Sequence, residues 1–94
     1  MNIIHNRTFS NELKDILKYI ADDKPSASLK FKAELKLKIR EIPASPFKYK
    51  QSLYFDDKNI RDMSYKTYTF VYELNFEKDS IEILKIFNRN KPKN

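Results

Sequence analysis

The first clear pattern of apolar positions predicts an amphipathic helix over residues 9–23. Its apolar residues recur at the intervals that place side chains on one helical face: Phe9, Leu13, Ile16, Leu17 and Ile20. Pro25 follows the pattern and ends it, because the residue before a proline is pushed out of the helical region.

Residues 26–42 carry a pattern that fits two structures. Six apolar residues alternate with polar or charged ones, which is the period of a strand: Leu29, Phe31, Ala33, Leu35, Leu37 and Ile39. The segment is, however, about three times as long as an average strand. It is also rich in good helix formers and almost free of β-branched residues. We therefore predict a second helix, which forms an antiparallel hairpin with the first.

A helical segment 26–42 has two separate apolar stripes. At about 100° per residue, Phe31, Leu35, Ile39 and Ile42 form one stripe, which we expect to face a sheet. Leu29, Ala33 and Leu37 form the other. This second stripe either packs on the first helix or is exposed for a partner.

The remainder of the chain predicts strands after a loop that contains Pro43 and Pro46. The predicted strands are residues 52–55, 60–64, 67–74 and 81–87, with a turn at residues 75–79. Residues 2–4 could add one edge strand. We predict a single α+β domain over residues 1–94, with the helix hairpin at about 9–42 packed on a three- to four-stranded antiparallel sheet at about 52–87, and a basic tail at 88–94.

The strand at residues 67–74 places its aromatic residues on one face. Tyr68, Phe70 and Tyr72 alternate with Thr69 and Val71. Since helices are expected on one side of the sheet only, both faces cannot belong to the core. An exposed aromatic face would be a surface for a partner.

The residue types that the chain lacks exclude several kinds of chemistry. The chain has no cysteine, which excludes disulfides and thiolate chemistry. It has no glycine, which excludes phosphate-binding glycine loops, and turns with positive φ must use Asn or Asp. It has no apolar run that could span a membrane and no signal-peptide pattern, so we expect a cytoplasmic protein without membrane contact.

The net charge of +6 favours an acidic or polyanionic partner. The basic residues at the predicted strand ends could converge on one electropositive edge, and they are candidates for contact with a target or a nucleic acid: Arg61, Lys66, Arg89 and Lys91. A lysine-rich surface without a specific role is the alternative, and Arg61 is the first candidate for a structural role, as the ion-pair partner of a carboxylate. His5, the only histidine, has no evident partner, and no cluster of side chains has the spacing of a metal site. We expect no cofactor and no metal.

The ordered series of motifs resembles the RelE/ParE family of toxins. The first helix contains Tyr19-Ile20-Ala21 before Pro25, like the "YIA…P" ending of ParE toxins. Arg61 precedes Tyr72 by the spacing that ParE-like members show, and Arg89 matches the arginine that follows the last strand in the family. The resemblance covers roughly residues 9–91.

The resemblance implies a toxin of a type II toxin–antitoxin (plasmid-stabilisation) module, neutralised by a cognate antitoxin that covers the stripe of Leu29, Ala33 and Leu37. Two targets remain open: DNA gyrase, as for ParE toxins, or ribosome-bound messenger RNA, as for RelE ribonucleases. RelE enzymes have an arginine where this chain has Thr69, which favours the ParE type and a protein that is not an enzyme. Arg61 and Arg89 are the catalytic candidates if it is a ribonuclease. An inactive toxin, or a small basic nucleic-acid-binding protein, is a third possibility.

Overall fold

The computed structural model describes residues 1–90. Two helices and five strands occur in this part of the chain, in the order β1 (Asn2–His5), α1 (Arg7–Asp23), α2 (Pro25–Glu41), β2 (Lys50–Gln51), β3 (Ile60–Tyr65), β4 (Tyr68–Asn75) and β5 (Ser80–Asn88). The two helices form a hairpin that packs on one face of the sheet, and the predicted α+β architecture is confirmed.

The helix hairpin is supported at the start of each helix and by one hydrogen bond between the helices. The side chain of Asn6 accepts a hydrogen bond from the amide of Phe9 at 2.8 Å, which caps the start of α1. Pro25 is the first residue of α2, where its missing amide proton costs nothing. The hydroxyl of Ser28 donates to the carbonyl of Leu17 at 2.8 Å and joins the two helices.

Residues 25–41 form a helix, as predicted, despite the alternating pattern. Phe31, Leu35 and Ile39 are buried against the sheet. Leu29 and Leu37, in contrast, are 72% and 57% exposed. Of the two outcomes considered for the second stripe, exposure is therefore the one found.

The sheet is mixed and has five strands, in the order β1-β5-β4-β3-β2. The pairs β2–β3, β3–β4 and β4–β5 are antiparallel, whereas β1 lies parallel to β5. The prediction of three or four antiparallel strands was therefore too low by at least one strand. Parallel pairing needs a long connection between the two strands. The helix hairpin and the other strands lie between β1 and β5 and supply it.

Residues 52–55 are not a strand, and that prediction was wrong. The short strand at this edge is β2, which pairs with Arg61 and Asp62. After it, the amide of Leu53 donates to the carboxylate of Asp62 at 3.0 Å. The chain then crosses the face of the sheet opposite the helices, where the ring of Tyr54 packs edge-on against Phe87 at 5.0 Å between centroids.

Both faces of β4 are buried, contrary to the prediction. Phe70 and Tyr72 face the helices, but Thr69 and Val71 on the opposite face are also buried. The crossing segment at residues 52–55 explains this, because Tyr54 lies against the strand that pairs with β4. The face that carries the aromatic residues is therefore part of the core and not a surface for a partner.

Two residues of the described chain have a positive φ, Lys66 at 55° and Asp79 at 49°. Asp79 agrees with the expectation for a chain without glycine. Lys66 does not, because lysine has no short polar side chain that favours this conformation. Lys66 lies in the tight turn between β3 and β4, where the ladder fixes the backbone on both sides.

Candidate functional site

Arg61 holds the loop that follows α2. It lies near the start of β3, and its guanidinium donates to the carbonyls of Lys58 at 2.9 Å and Tyr49 at 3.1 Å. The guanidinium carbon lies 4.7 Å from the centre of the Phe47 ring, a distance at which the cation and the ring attract each other. Arg61 is thus anchored, by carbonyls and a ring rather than by the carboxylate considered from the sequence.

Arg89 makes its hydrogen bonds at the opposite end of the sheet, around the turn between β3 and β4. One terminal nitrogen donates to the carbonyl of Tyr68 at 2.6 Å and to the hydroxyl of Thr69 at 3.2 Å. The other donates to the carbonyl of Lys66 at 2.8 Å. Thr69 therefore accepts a hydrogen bond from an arginine that directly follows the neighbouring strand, β5.

The predicted basic residues do not all meet. Lys66 and Arg89 lie together at the β3–β4 turn, and the Lys66 ammonium is 3.9 Å from Glu34 on α2. Arg61 pairs with Tyr72 near the other end of β3. The single electropositive edge expected from the sequence is thus divided between two ends of the sheet. Lys91 lies outside the described residues.

Tyr65 is buried next to Lys66 and lies close to Glu34 on α2. Burial, followed by the neighbouring Glu34, raises the pKa of Tyr65 to about 12. The Tyr65 hydroxyl and Oε1 of Glu34 are buried and make no hydrogen bond of ordinary geometry within the described residues, although Glu34 is close enough to raise the pKa of Tyr65. At neutral pH this hydroxyl is fully protonated and cannot serve as a base.

The outer face of α2 combines exposed apolar and basic side chains. Leu29 and Leu37 are largely exposed, and Ala33 between them is exposed as well. Helical spacing places Lys36 and Arg40 on the same side of the helix as this stripe. This surface, called the α2 stripe below, has an apolar centre with a cationic border.

A groove on the other helix was not anticipated from the sequence. It has a volume of about 530 Å³ and lies between α1 and the end of β5. Glu12 and Asp15 stand on its helical wall, with Ile86 and Asn88 on the strand side. The only sequence signal is the pair of carboxylates on one turn of α1, which does not by itself reveal a neighbouring strand edge.

The described residues contain no group of His, Asp or Glu side chains that could hold a metal ion. His5 lies in β1, and its ring packs edge-on against Phe9 at 5.3 Å. No helix between residues 1 and 90 is long and apolar enough to cross a membrane.

The comparisons with known proteins agree with this architecture. Residues 3–92 match the model of the family described as ParE toxin of type II toxin–antitoxin system, parDE. None of the curated proteins matches the chain significantly.

Two solved structures share the fold at low sequence identity. The chromosomal ParDE toxin–antitoxin system from P. aeruginosa is similar with a TM-score of 0.73 and 14% identity, over 94% of this chain and 95% of that chain. The RelBE2 toxin–antitoxin complex from Mycobacterium tuberculosis is similar with a TM-score of 0.65 and 14% identity, over 96% and 92% of the two chains. Because the family model spans nearly the whole sequence, the chain belongs to the ParE toxin family of type II toxin–antitoxin systems.

Proposed function

We propose that this toxin acts by binding DNA gyrase, as ParE toxins do, and does not cut messenger RNA. The proposal rests on the hydrogen bonds that its two candidate catalytic arginines make within the protein. Arg61 and Arg89 both donate to backbone carbonyls and hold loops in place. A ribonuclease would need such cations to stabilise the charge that develops on the scissile phosphate.

The only histidine of the chain and Tyr65 are also poorly placed to act as the base and the acid of a metal-free ribonuclease. Cleavage needs a base for the 2′-hydroxyl and an acid for the leaving oxygen, each within hydrogen-bond reach of the substrate. The ring of His5, in β1, packs on Phe9, and β1 pairs with β5 only as far as Ile83, well before Arg89. Tyr65, which lies near Arg89, is buried and has its pKa raised. Action through a binding surface needs none of these groups.

Two assays with the purified protein separate the candidate targets. We expect inhibition of gyrase supercoiling with accumulation of cleaved DNA complexes, because a gyrase poison traps the enzyme on DNA. We expect no new messenger ends in a translation extract examined by primer extension. Cut messenger together with unaffected gyrase would contradict the proposal and favour the ribosome-dependent ribonuclease.

We further propose that a cognate antitoxin neutralises the toxin by covering the α2 stripe. The two similar structures are both toxin–antitoxin complexes, which supports a partner of this kind. The apolar centre fits the apolar face of an amphipathic segment, and Lys36 and Arg40 fit acidic residues at the edge of that segment. Binding there would bury Leu29 and Leu37, which are otherwise exposed to water.

A matched pair of substitutions tests this docking surface. Leu29→Asp should weaken binding of the antitoxin encoded beside the gene by at least about 30-fold, or about 2 kcal/mol, because it places a charge in an apolar contact. Leu53→Asp serves as the control, since Leu53 is 74% exposed against 72% for Leu29 but lies on the crossing segment. Isothermal titration calorimetry measures both affinities. Equal losses in the two variants would contradict docking on the α2 stripe.

A further inference from the structure

The outer edge of β5 is only half covered. β1 pairs with β5 from Ser80 to Ile83, and the amide of Asn6 adds one more hydrogen bond to the Ile83 carbonyl. β5 then continues to Asn88, paired with β4 on its inner side alone. Within the described chain, the outer edge beyond Ile83 therefore has no strand beside it.

The direction of the backbone groups on this edge follows from two hydrogen bonds. The amide of Ile86 points outward, because it donates to a carboxylate oxygen of Glu12 on α1 at 3.0 Å. The amide of Arg89 points inward, to the carbonyl of Thr67 at 2.9 Å. Since the direction alternates along a strand, the backbone groups of Asn88 also face outward. The side chain of Glu12 thus makes one of the hydrogen bonds that a neighbouring strand would make. The next residue with outward backbone groups, Asn88, faces the groove.

The groove beside this edge has a charge opposite to that of the whole molecule. Its walls include the carboxylates of Glu12 and Asp15, and among residues 1–90 no lysine or arginine lines it. The complete chain carries a net charge of +6. A cationic ligand is therefore attracted to this groove and repelled by most of the remaining surface.

We infer that this groove binds an extended, basic peptide segment of a partner protein, which adds to the outer edge of β5 as a further strand. Hydrogen bonds to the carbonyl of Ile86, whose amide is already bound by Glu12, and to the amide and carbonyl of Asn88 would hold the segment. Its cationic side chains would face Glu12 and Asp15. This mode of recognition uses the main chain for affinity and the side chains for selection. The inference concerns α1 and β5 and does not depend on the target or on the α2 stripe.

Other ligand classes fit the same features less well. Nucleic acids and anionic lipid surfaces carry negative charge, which the two carboxylates repel. An acidic segment, such as the one proposed for the α2 stripe, is repelled for the same reason. A basic peptide in extended form satisfies both the strand edge and the charge.

The test uses the full chain labelled with ¹⁵N and a capped eight-residue peptide of alternating valine and lysine. We expect the peptide to shift the amide signals of Ile86 and Asn88 and to protect the Asn88 amide from hydrogen exchange. Replacing every lysine in the peptide by glutamate should abolish binding. Methylation of the alternate peptide nitrogens on one edge should also abolish binding, because it removes the donors to β5.

Variants of the protein locate the charge that selects the peptide. Glu12→Gln keeps an oxygen that can accept the Ile86 amide, and Asp15→Asn keeps the size of the side chain. Each should weaken binding about three- to fivefold, as for the loss of one exposed ion pair. Glu77→Gln makes the same change of charge at an exposed residue in the β4–β5 turn, at the end of β5 opposite Asn88, and should leave the affinity unchanged.

Three results would overturn the inference. The first is equal binding of the lysine and glutamate peptides, which would remove the selection by charge. The second is binding of the methylated peptide at full affinity or without a response at Asn88, which would remove strand addition. The third is an equal loss from Glu77→Gln, which would show attraction to overall charge in place of a site.

Discussion

Tyr72 connects the loop after α2 to the centre of the sheet. Its ring is fully buried in β4, and its hydroxyl donates to the carbonyl of Pro46 at 3.0 Å. Burial, with a smaller contribution from Tyr49, raises the pKa of Tyr72 to about 12. The loop that also carries the Arg61 contacts is thus fixed by a hydroxyl that must remain protonated.

We expect the stability of the protein to fall as the pH rises from about 10 to about 12. The tyrosines of the unfolded chain lose their protons near pH 10, whereas the pKa values of Tyr65 and Tyr72 in the folded protein are raised to about 12. Over this range the folded state binds more protons than the unfolded state, so the free energy of unfolding decreases with pH. Urea denaturation at a series of pH values measures this dependence.

Tyr72→Phe provides the control for that experiment. It keeps the ring but removes the titrating hydroxyl and its hydrogen bond to Pro46. We expect about 1 kcal/mol less stability at pH 7 and a smaller decrease in stability between pH 10 and pH 12. An alkaline decrease of the same size in the variant and the original chain would contradict the role given to Tyr72.

Arg89→Ala should lower the free energy of unfolding by about 1–2 kcal/mol, because it removes a charged donor from the carbonyls of Lys66 and Tyr68 and the hydroxyl of Thr69. Arg7→Ala removes an exposed arginine from the first turn of α1 and should change it by less than about 0.5 kcal/mol. Thermal or urea unfolding compares them. Equal stability of both variants would contradict the structural role of Arg89.

At the scale of elements, α2 is a helix whose alternating pattern of apolar residues, taken alone, would have predicted a strand. Its alternation of apolar and polar residues fits a strand, but length and composition correctly predicted a helix. The helix then divides the apolar residues into a buried and an exposed set, which a strand would not do. Leu35 is 1% exposed and Leu37 is 57% exposed, although both would lie on one face of a strand.

Substitution of these two leucines tests the division. Leu35→Ala should reduce the free energy of unfolding by about 2–4 kcal/mol, because it leaves a cavity between α2 and the sheet. Leu37→Ala should change it by less than about 0.5 kcal/mol, since that side chain contacts mostly water. Urea denaturation of both variants gives the comparison. Similar losses would mean that the two residues share one environment.

The sheet was less predictable than the helices for a physical reason. Residues 60–64, 67–74 and 81–87 were identified as strands because their β-branched and aromatic residues act locally. The placement of β1 beside β5 and the crossing of residues 52–55 depend on contacts between distant parts of the chain. Leu53 and Tyr54 have the composition of a strand, but Asp62 and Phe87 hold them over the sheet instead.

At the scale of the whole molecule, the exposed surfaces of the two helices differ in the sign of their charge. α1 carries Glu12 and Asp15 at its groove, whereas the outer face of α2 carries Lys36 and Arg40. The net charge of +6 was evident from the sequence, but its separation over two surfaces was not, because it depends on which helix faces lie outward. The basic residues grouped from the sequence as one site, Arg61 with Lys66 and Arg89, instead hold two ends of the sheet.

The parallel pairing of β1 with β5 affects how the chain folds as it is made. Asn2 pairs with Ser80, so β1 can take its place in the sheet only after β5 has been synthesised. Contacts over such long separations form late and slow the folding of a domain. The edge of the sheet that β1 forms therefore stays open in a nascent chain until β5 has emerged from the ribosome.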